Sequence, residues 1–323
     1  TIFQKAIQGS PDYDEQFRKL VASGRPIVED YWALVLADIH GALDVFAELY
    51  RDSHGADGYA SVEVAPDLAH DGPATEAAAR QLHEQIRRPN LMVKIPATAE
   101  GVSAIQAMIA EGRNINVTLI FSLERHKEVM EAYIRGLELY SKVPGADLSR
   151  VASVASFFIS RVDTEIDHRL ETIGTPEALE LRGKGAIAQG KLAYQLFQKT
   201  FSGHRWEALA AKGARVQRPL WASTSTKNPA YPDTMYVDEL IGPDTVNTLP
   251  EATIEAFADH GHLARRVDAD LDQAYAVWKG LAEVGIDLDD VGETLEREGV
   301  ASFEKSFDEL LGTLEAKAAE LRA

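Results

Sequence analysis

Residues 91–96 read Leu-Met-Val-Lys-Ile-Pro, and residues 114–121 read Asn-Ile-Asn-Val-Thr-Leu-Ile-Phe. Short apolar runs of this kind, rich in Val and Ile, are typical of buried strands, and in the second run polar residues stand at positions 114, 116 and 118. The runs predicted as strands are Tyr59–Val64, Leu91–Pro96, Ile115–Phe121, Val151–Phe157, Val216–Ser223 and Thr245–Thr248. Their spacing leaves room for a helix between most neighbours.

Helical patterns occupy the intervening segments. They are predicted at about 28–51, 73–87, 100–112, 123–141, 161–201 with a break at 174–176, 231–240 and 250–258. The stretch 268–323 is rich in Leu, Ala and Glu, and it predicts two or more further helices as a C-terminal decoration. Strands that alternate with helices at this spacing indicate a parallel sheet in an α/β protein. No linker or repeat marks a second domain, so one domain over 1–323 is expected.

The number of strands raises a question, because a closed (β/α)₈ TIM-type barrel needs eight and the pattern shows six. The sequence starts at Thr1 without Met and continues as Ile2–Ile7, which reads as the tail of a strand–helix connection. Either the sheet is open or two strands precede Thr1. We expect the second arrangement, a barrel whose first two strands lie upstream of this sequence.

The amino-acid composition argues against several classes of function. The 323 residues include 33 Lys+Arg and 51 Asp+Glu, which gives a net charge of −18. General attraction to nucleic acid or to an anionic membrane is therefore not expected. There is no Cys, which excludes disulfides, thiolate catalysis and Cys-ligated metals. No apolar run is long enough to span a bilayer, so a soluble, cytoplasmic protein is expected.

The alternation of side chains places several polar residues inside the predicted barrel. Leu91, Val93 and Ile95 form one apolar face, so Lys94 belongs to the other face. By the same parity, the inward-facing polar residues of the first three strands are Ser61, Glu63, Lys94, Asn114, Asn116 and Thr118. Three neighbouring strands thus direct a lysine, a carboxylate and hydrogen-bonding groups toward one interior.

A lysine in such an interior must be paired or have a lowered pKa. Only the neutral amine attacks a carbonyl, so a buried Lys94 beside Glu63 fits Schiff-base chemistry, in which the carboxylate moves protons directly or through a water. A structural Glu63–Lys94 ion pair, or a lysine that extends to solvent from the strand end, explains the same pattern.

Cationic and hydroxyl side chains follow the two later strands. Arg161 comes after 151–157, and Ser225 and Lys227 come after 216–223. Loops at these positions of (β/α)₈ barrels often bind phosphate. The alternatives are helix capping by Ser225 or Thr226 and an ion pair of Arg161 with Asp163 or Glu165.

Two further motifs carry little weight. Residues 185–191 match part of a phosphate loop, but Leu192 replaces the required Ser or Thr and the segment lies in a helical pattern. His260 and His262 have the spacing of metal ligands, but no acidic cluster accompanies them, and a surface turn is the preferred interpretation.

Taken together, these segments resemble the long bacterial form of the transaldolase family. The motifs that carry the resemblance are Ser61–Val64 (SVEV), Met92–Thr98 (MVKIPAT), Asn114–Ser122 (NINVTLIFS), Ser153–Arg161 (SVASFFISR), Leu220–Pro229 (LWASTSTKNP) and Ile241–Pro250 (IGPDTVNTLP). They occur in order, and the resemblance runs from Thr1 to the final helices.

The resemblance implies a (β/α)₈ barrel that transfers a dihydroxyacetone unit between sugar phosphates without a metal or an organic cofactor. By motif, Lys94 is the Schiff-base lysine, Glu63 the acid/base, and Thr118 the residue that holds its water. The residues matched to substrate binding are Asn116, Ser156, Phe158, Arg161, Ser225 and Lys227, where Lys227 replaces the arginine of many relatives. A homodimer is compatible with the resemblance.

One departure concerns the start of the chain. The family has an acid/base aspartate on its first strand and a substrate-binding asparagine at the end of its second, and both would lie upstream of Thr1. The alternatives are a fructose-6-phosphate aldolase, which shares fold and lysine, and a catalytically impaired sugar-phosphate-binding barrel if the polypeptide begins at Thr1.

Overall fold

The computed structural model describes residues 10–322. The six strands are β1 (Ala60–Glu63), β2 (Leu91–Pro96), β3 (Ile115–Ile120), β4 (Ser153–Phe158), β5 (Arg218–Ala222) and β6 (Val246–Asn247). They pair in chain order, and every pair is parallel. All six predicted strands are confirmed, with ends that shift by at most two residues. The segment Ile2–Ile7 lies outside the described residues.

Helices surround this sheet. They are α1 (Asp14–Ala22), α2 (Ile27–Asp52), α3 (Gly72–Ile86), α4 (Ala99–Ala110), α5 (Leu123–Tyr140), α6 (Ser160–Ile173), α7 (Pro176–Leu179), α8 (Gly185–Thr200), α9 (His204–Ala210), α10 (Met235–Glu239), α11 (Glu251–His260), α12 (Leu271–Glu283) and α13 (Leu288–Arg322). Short 3₁₀ turns lie at Pro11–Tyr13, Pro66–Leu68 and Leu148–Arg150.

The helix predictions are confirmed in outline, including the helical C-terminus and a break after Ile173. The prediction of one break within 161–201 was wrong, because the chain also leaves the helical conformation at 180–184. The prediction over 231–240 was too long, because only α10 is helical there. Two helices were not predicted, α1 and α9. Each is short and buries two apolar side chains, Phe17 and Val21 in α1 and Trp206 and Leu209 in α9. Phe17, Leu20 and Val21 do have the spacing of one helix face, but α1 has nine residues and α9 seven, which is shorter than the window over which a helical period is assessed.

The sheet is curled. Two arginines show this, Arg215 before β5 and Arg218 at its start, because both reach the segment before β1. In a flat sheet, β5 would lie four strand spacings from β1, about 19 Å away. Instead, the Arg218 guanidinium donates to the carbonyl of Ala56, which precedes β1, at 3.3 Å, and Arg215 donates to the carbonyls of His54 and Gly55. The strands therefore wrap toward each other, consistent with the expected α/β TIM-type barrel fold.

The two faces of the sheet bury different residues. Leu91, Val93 and Ile95 belong to the large core between the strands and the helices. Met92 belongs to a second cluster with inner-face residues of β4 and β5, including Val154 and Leu220. The predicted parity is therefore confirmed, since Lys94 shares its side of β2 with Met92.

Helix α13 packs against the end of β3 that lies nearest the inner polar residues. A Cβ atom on Gly292 would be 2.9 Å from the Cβ of Ser122, and one on Gly299 would be 3.3 Å from the Phe121 ring. Two glycines one heptad apart on one face of the helix thus permit this close approach.

Candidate active site

Lys94 and Glu63 face each other on two neighbouring strands, in the C-terminal halves of both. The register of β1 and β2 places Glu63 opposite Lys94. The Lys94 Nζ lies 3.5 Å from Glu63 Oε2, and the two side chains are 30% and 20% exposed. An amine and a carboxylate at this distance can exchange a proton directly or through one water. Partial exposure leaves the amine accessible to a small substrate.

Asn116 is the centre of a hydrogen-bond chain that crosses the inner face. It lies opposite Lys94 in the pairing of β2 with β3. Its Nδ2 donates to Ser61 Oγ at 3.1 Å, and its Oδ1 accepts from Ser156 Oγ at 2.7 Å. Three strands are therefore joined beside the lysine. Asn116 and Ser156 are buried, so their hydrogen bonds fix the orientation of the Asn116 amide.

Thr118 lies one step further along the same face, opposite Pro96, and is 2% exposed. The strand is irregular directly after it. Leu119 has a left-handed backbone, with a φ of 59°, and the register with β4 shifts between Val117 and Ile120. Such bulges re-aim side chains and occur near active sites. The shift keeps Thr118 on the inner side while Ile120 enters the core behind the sheet.

Arg161 stands at the start of α6, over the ring of Phe158. Its guanidinium carbon lies 5.5 Å from the ring centroid, within cation–π range. Burial lowers the pKa of Arg161. Phe158 in turn contacts Phe121, with ring centroids 5.0 Å apart. The arginine is therefore held at the C-terminal edge of the sheet by an aromatic pair.

The alternative ion pairs of Arg161 are not formed. Asp163 accepts from the Ala186 N–H at 2.7 Å and from the Tyr236 hydroxyl at 2.8 Å. Glu165 pairs with Arg169 at 2.7 Å. Within residues 10–322, no carboxylate oxygen lies within 4.0 Å of the Arg161 guanidinium. A charge of this kind, partly buried and without a counterion, favours an anionic ligand.

The loop after β5 joins the start of α6. The Ser160 N–H donates to the carbonyl of Ser223 at 3.0 Å, and the two hydroxyls lie 2.9 Å apart. Further along this loop, Lys227 Nζ donates to Ser225 Oγ at 2.7 Å. Ser225 makes no helix cap in this arrangement, and Thr226 donates to the carbonyls of residues 232 and 233. The loop that carries Lys227 therefore begins beside the helix that carries Arg161.

The structure adds residues that the sequence reasoning did not assign to the site. Ser61 holds the Asn116 amide, and Phe121 packs on Phe158. Thr224 donates to Asn247 Oδ1 at 2.8 Å and so ties the loop to β6. The inward parity of Ser61 was the only signal for its role. The partners of Phe121 and Thr224 lie far away in sequence, and no local pattern indicates them.

The two motifs of low weight lie outside this site. Residues 185–191 form the first turns of α8, and Lys191 is buried against Glu239 at 3.0 Å, so they do not form a phosphate loop. His260 lies between Asp233 at 2.8 Å and Asp259 at 3.1 Å. Among residues 10–322, no three His, Asp or Glu side chains are grouped as metal ligands would be. Within the same range, no helix has the length and apolar character that crossing a bilayer requires.

A curled parallel sheet with a lysine and a carboxylate on its inner face, and a cation at its C-terminal edge, defines an α/β-barrel enzyme site. The family model described as Transaldolase/Fructose-6-phosphate aldolase matches residues 1–314. A protein of Parafrankia sp. (strain EAN1pec) named transaldolase is 54% identical over 315 residues, which are 97% of this chain and 85% of that protein. Transaldolases of Frankia alni and Saccharopolyspora erythraea are each 53% identical, with the same coverage. The chain therefore belongs to the transaldolase family, a family of transferase enzymes.

Proposed function

We propose that this protein transfers a dihydroxyacetone unit from a ketose phosphate to an aldose phosphate through a Schiff base on Lys94. The donors are sedoheptulose 7-phosphate or fructose 6-phosphate, and the acceptors are glyceraldehyde 3-phosphate or erythrose 4-phosphate, as in the pentose phosphate pathway. The 3.5 Å approach of Lys94 Nζ to Glu63 Oε2 on the inner face carries the proposal. The names of the relatives support the reaction class.

The first step joins enzyme and donor. Neutral Lys94 attacks the C2 carbonyl of the ketose, and a carbinolamine forms. Glu63, through a water held near Thr118, protonates the C2 hydroxyl, which leaves as water and yields the protonated imine. The amide of Asn116 and the hydroxyl of Ser156 bind the hydroxyl groups of the sugar.

The imine then acts as an electron sink. When a base takes the proton of the C4 hydroxyl, the C3–C4 bond breaks and an aldose phosphate leaves. The electron pair of the broken bond stays with the three-carbon fragment, which remains on Lys94 as an enamine. By resemblance, this base is the first-strand aspartate that would precede Thr1. The enamine adds to the carbonyl carbon of the acceptor, and hydrolysis of the new imine releases the product ketose.

The substrate phosphate would bind at the C-terminal edge of the sheet, where Arg161 and Lys227 lie. Arg161, without a carboxylate partner within residues 10–322, and Lys227 with Ser225 would bind the phosphate of donor and acceptor in turn. Phe158 lines the pocket and orients Arg161. We also propose that the protein is located in the cytoplasm, and we predict that two copies form a homodimer.

A second candidate, cleavage of fructose 6-phosphate with release of dihydroxyacetone, follows from the description of the family model. The two reactions differ in the fate of the enamine, which is either captured by an aldehyde or protonated and hydrolysed. The rate of dihydroxyacetone release, measured with and without an acceptor, separates them. Transfer predicts slow release that the acceptor suppresses.

Borohydride reduction with fructose 6-phosphate, followed by intact-protein and peptide mass spectrometry, tests the mechanism. A reduced three-carbon adduct on Lys94 is expected. Lys94→Arg should abolish the adduct and turnover while leaving the fold intact, and Lys199→Arg, at an exposed lysine, should change neither. A whole-sugar adduct would indicate imine formation without cleavage, and an adduct that persists in Lys94→Arg would exclude Lys94 as the nucleophile.

A further inference from the structure

A cleft of about 600 Å³ lies at the end of the sheet opposite the candidate active site. It is lined by residues that immediately precede β2, β3 and β4, such as Pro89 and Asn114. Residues near the C-terminal ends of α2, α3 and α5, such as Tyr50, His83 and Tyr140, complete the lining. Its volume is in the range of cavities that bind metabolites. None of the residues that we assign to catalysis or to phosphate binding lines it.

The cleft is positively charged in a protein with a net charge of −18. Four arginines line it, Arg87, Arg88, Arg113 and Arg150, against two carboxylates. One of these carboxylates, Asp147, already accepts two hydrogen bonds from Ser149. Local charge of this sign raises the concentration of small anions regardless of the net charge of the chain.

Among the described residues, two of the four guanidinium groups have no carboxylate in contact, and a third has only a distant one. Within residues 10–322, no carboxylate oxygen lies within 4.0 Å of Arg87 or Arg150, whereas Arg88 pairs with Asp44 at 2.9 Å. Arg113 lies 3.9 Å from Glu111, but that carboxylate already accepts hydrogen bonds from Arg80 at 2.6 and 3.0 Å. An arginine cluster with fewer carboxylates than guanidinium groups fits phosphate, which accepts paired N–H donors.

Two buried nitrogens in the wall of the cleft lack hydrogen-bond partners among the described residues, Arg113 Nε and His83 Nε2. His83 is 7% exposed. Burial, and then the charge of Arg113, lower the pKa of His83 to about 4. The histidine is therefore neutral near pH 7 and adds a hydrogen-bonding group without adding charge.

Arg87 also adopts an unfavourable backbone. It follows α3 with a φ of 50°, the left-handed conformation in which helices usually place glycine. An arginine at this position costs stability that glycine would not. The Arg87 Nε donates to the carbonyl of Glu84 at 2.7 Å, and within residues 10–322 its two terminal nitrogens have no partner and are available to a ligand in the cleft.

From these observations, we propose that the cleft binds a metabolite that carries two phosphate groups, separately from the catalytic site. The four guanidinium groups would hold the phosphates. Because Asn114 bridges the carbonyls of Pro89 and Leu91 and accepts from the Ala152 N–H, a bound ligand would also stabilise the ends of β2, β3 and β4. The simplest competing explanation is that the arginines only complement the negative ends of three helices.

Titration calorimetry with pyrophosphate tests the proposal, in an Arg161→Gln/Lys227→Gln background that removes the catalytic phosphate residues. One binding event per chain is expected, accompanied by a rise in melting temperature. ADP and fructose 1,6-bisphosphate then distinguish a nucleotide from a sugar ligand. Tighter binding of either than of inorganic phosphate supports the proposal, and tighter binding of neither overturns it.

Variants distinguish a ligand site from helix-end arginines. Arg113→Gln/Arg150→Gln should weaken pyrophosphate binding about 100-fold. Arg87→Gly should weaken it about tenfold while leaving the melting temperature unchanged or higher, because glycine relieves the backbone. Arg18→Gln, which removes an exposed arginine on α1, should have no effect on binding. Absence of pyrophosphate binding, or binding that survives the arginine variants, overturns the proposal.

Discussion

The guanidinium group of Arg161 lies over the face of the Phe158 ring, 5.5 Å from carbon to centroid. Arg161 follows the β4 strand that ends with Phe158, so the last strand residue and the first turn of α6 together orient one charge. This geometry separates the role of the arginine in holding phosphate from the role of the ring in holding the arginine, and the two can be tested separately.

Loss of the Arg161 charge should act on phosphate binding. For Arg161→Gln, we expect kcat/KM with a phosphorylated acceptor to fall about 10- to 100-fold, the effect of one charged hydrogen-bonding group, mainly through KM. With unphosphorylated glyceraldehyde, the change should be small. Steady-state kinetics with both acceptors measures this difference, and Arg135→Gln, at an exposed position on α5, serves as the control. Equal losses with both acceptors would contradict a phosphate role.

Removal of the Glu63 carboxylate should slow proton transfer without removing the nucleophile. We expect Glu63→Gln to lower kcat about 10²- to 10⁴-fold, while borohydride still traps the sugar on Lys94 at a reduced rate. Rapid-quench trapping followed by mass spectrometry measures that rate. Glu128→Gln, on the outer helix α5, is the matched control. Unchanged kcat in Glu63→Gln would mean that another group moves the protons.

The hydrogen bond between Ser156 and Asn116 should fix the substrate-binding amide. Ser156→Ala leaves a buried amide oxygen without its 2.7 Å donor, at a cost of about 1–2 kcal/mol. We expect a lower free energy of unfolding in urea and a raised KM for the ketose. Ser306→Ala, on the surface of α13, should change neither quantity. A rise in KM without any loss of stability would indicate that Ser156 contacts only the substrate.

His126 should make the protein less stable in mild acid. The side chain is buried against Phe157, its ring nitrogens have no partner among the described residues, and burial lowers its pKa from 6.5 to about 3. The unfolded chain therefore binds the proton more tightly, and stability present above pH 6.5 is lost as the pH falls toward 3. Between pH 7 and pH 5, this histidine accounts for about 2 kcal/mol of the loss.

His126→Phe should remove that contribution. Urea unfolding at pH 7 and pH 5 measures it as the difference between variant and parent. Other groups, such as Asp163, whose pKa is raised to about 6 by burial, are common to both proteins and cancel in this difference. His204→Gln, at a fully exposed position, should keep the pH dependence of the parent, and an equally steep loss in His126→Phe would refute the assignment.

The strands and the lysine–carboxylate pair could be predicted from sequence because each signal is local. Lys94 is the only charged residue in the apolar run 91–96. The alternation of side chains places it on the inner face of its strand, and the same alternation places Glu63 on the inner face of the preceding strand. The bonds of Asn116 depend on register, which no single strand encodes. The arginines of the cleft could not be grouped from sequence, since three separate connections supply them.

The packing of the helices near the two ends of the described chain has a consequence for biosynthesis. Phe17 and Leu34, from α1 and α2, are buried together with Leu310 and Leu314 of α13, and Lys317 pairs with Asp14. Helices α1 and α2 leave the ribosome well before α13, so these apolar side chains stay exposed until residues 310–317 have been synthesised. During translation, helices α1 and α2 therefore need protection from aggregation for longer than the strands that follow them.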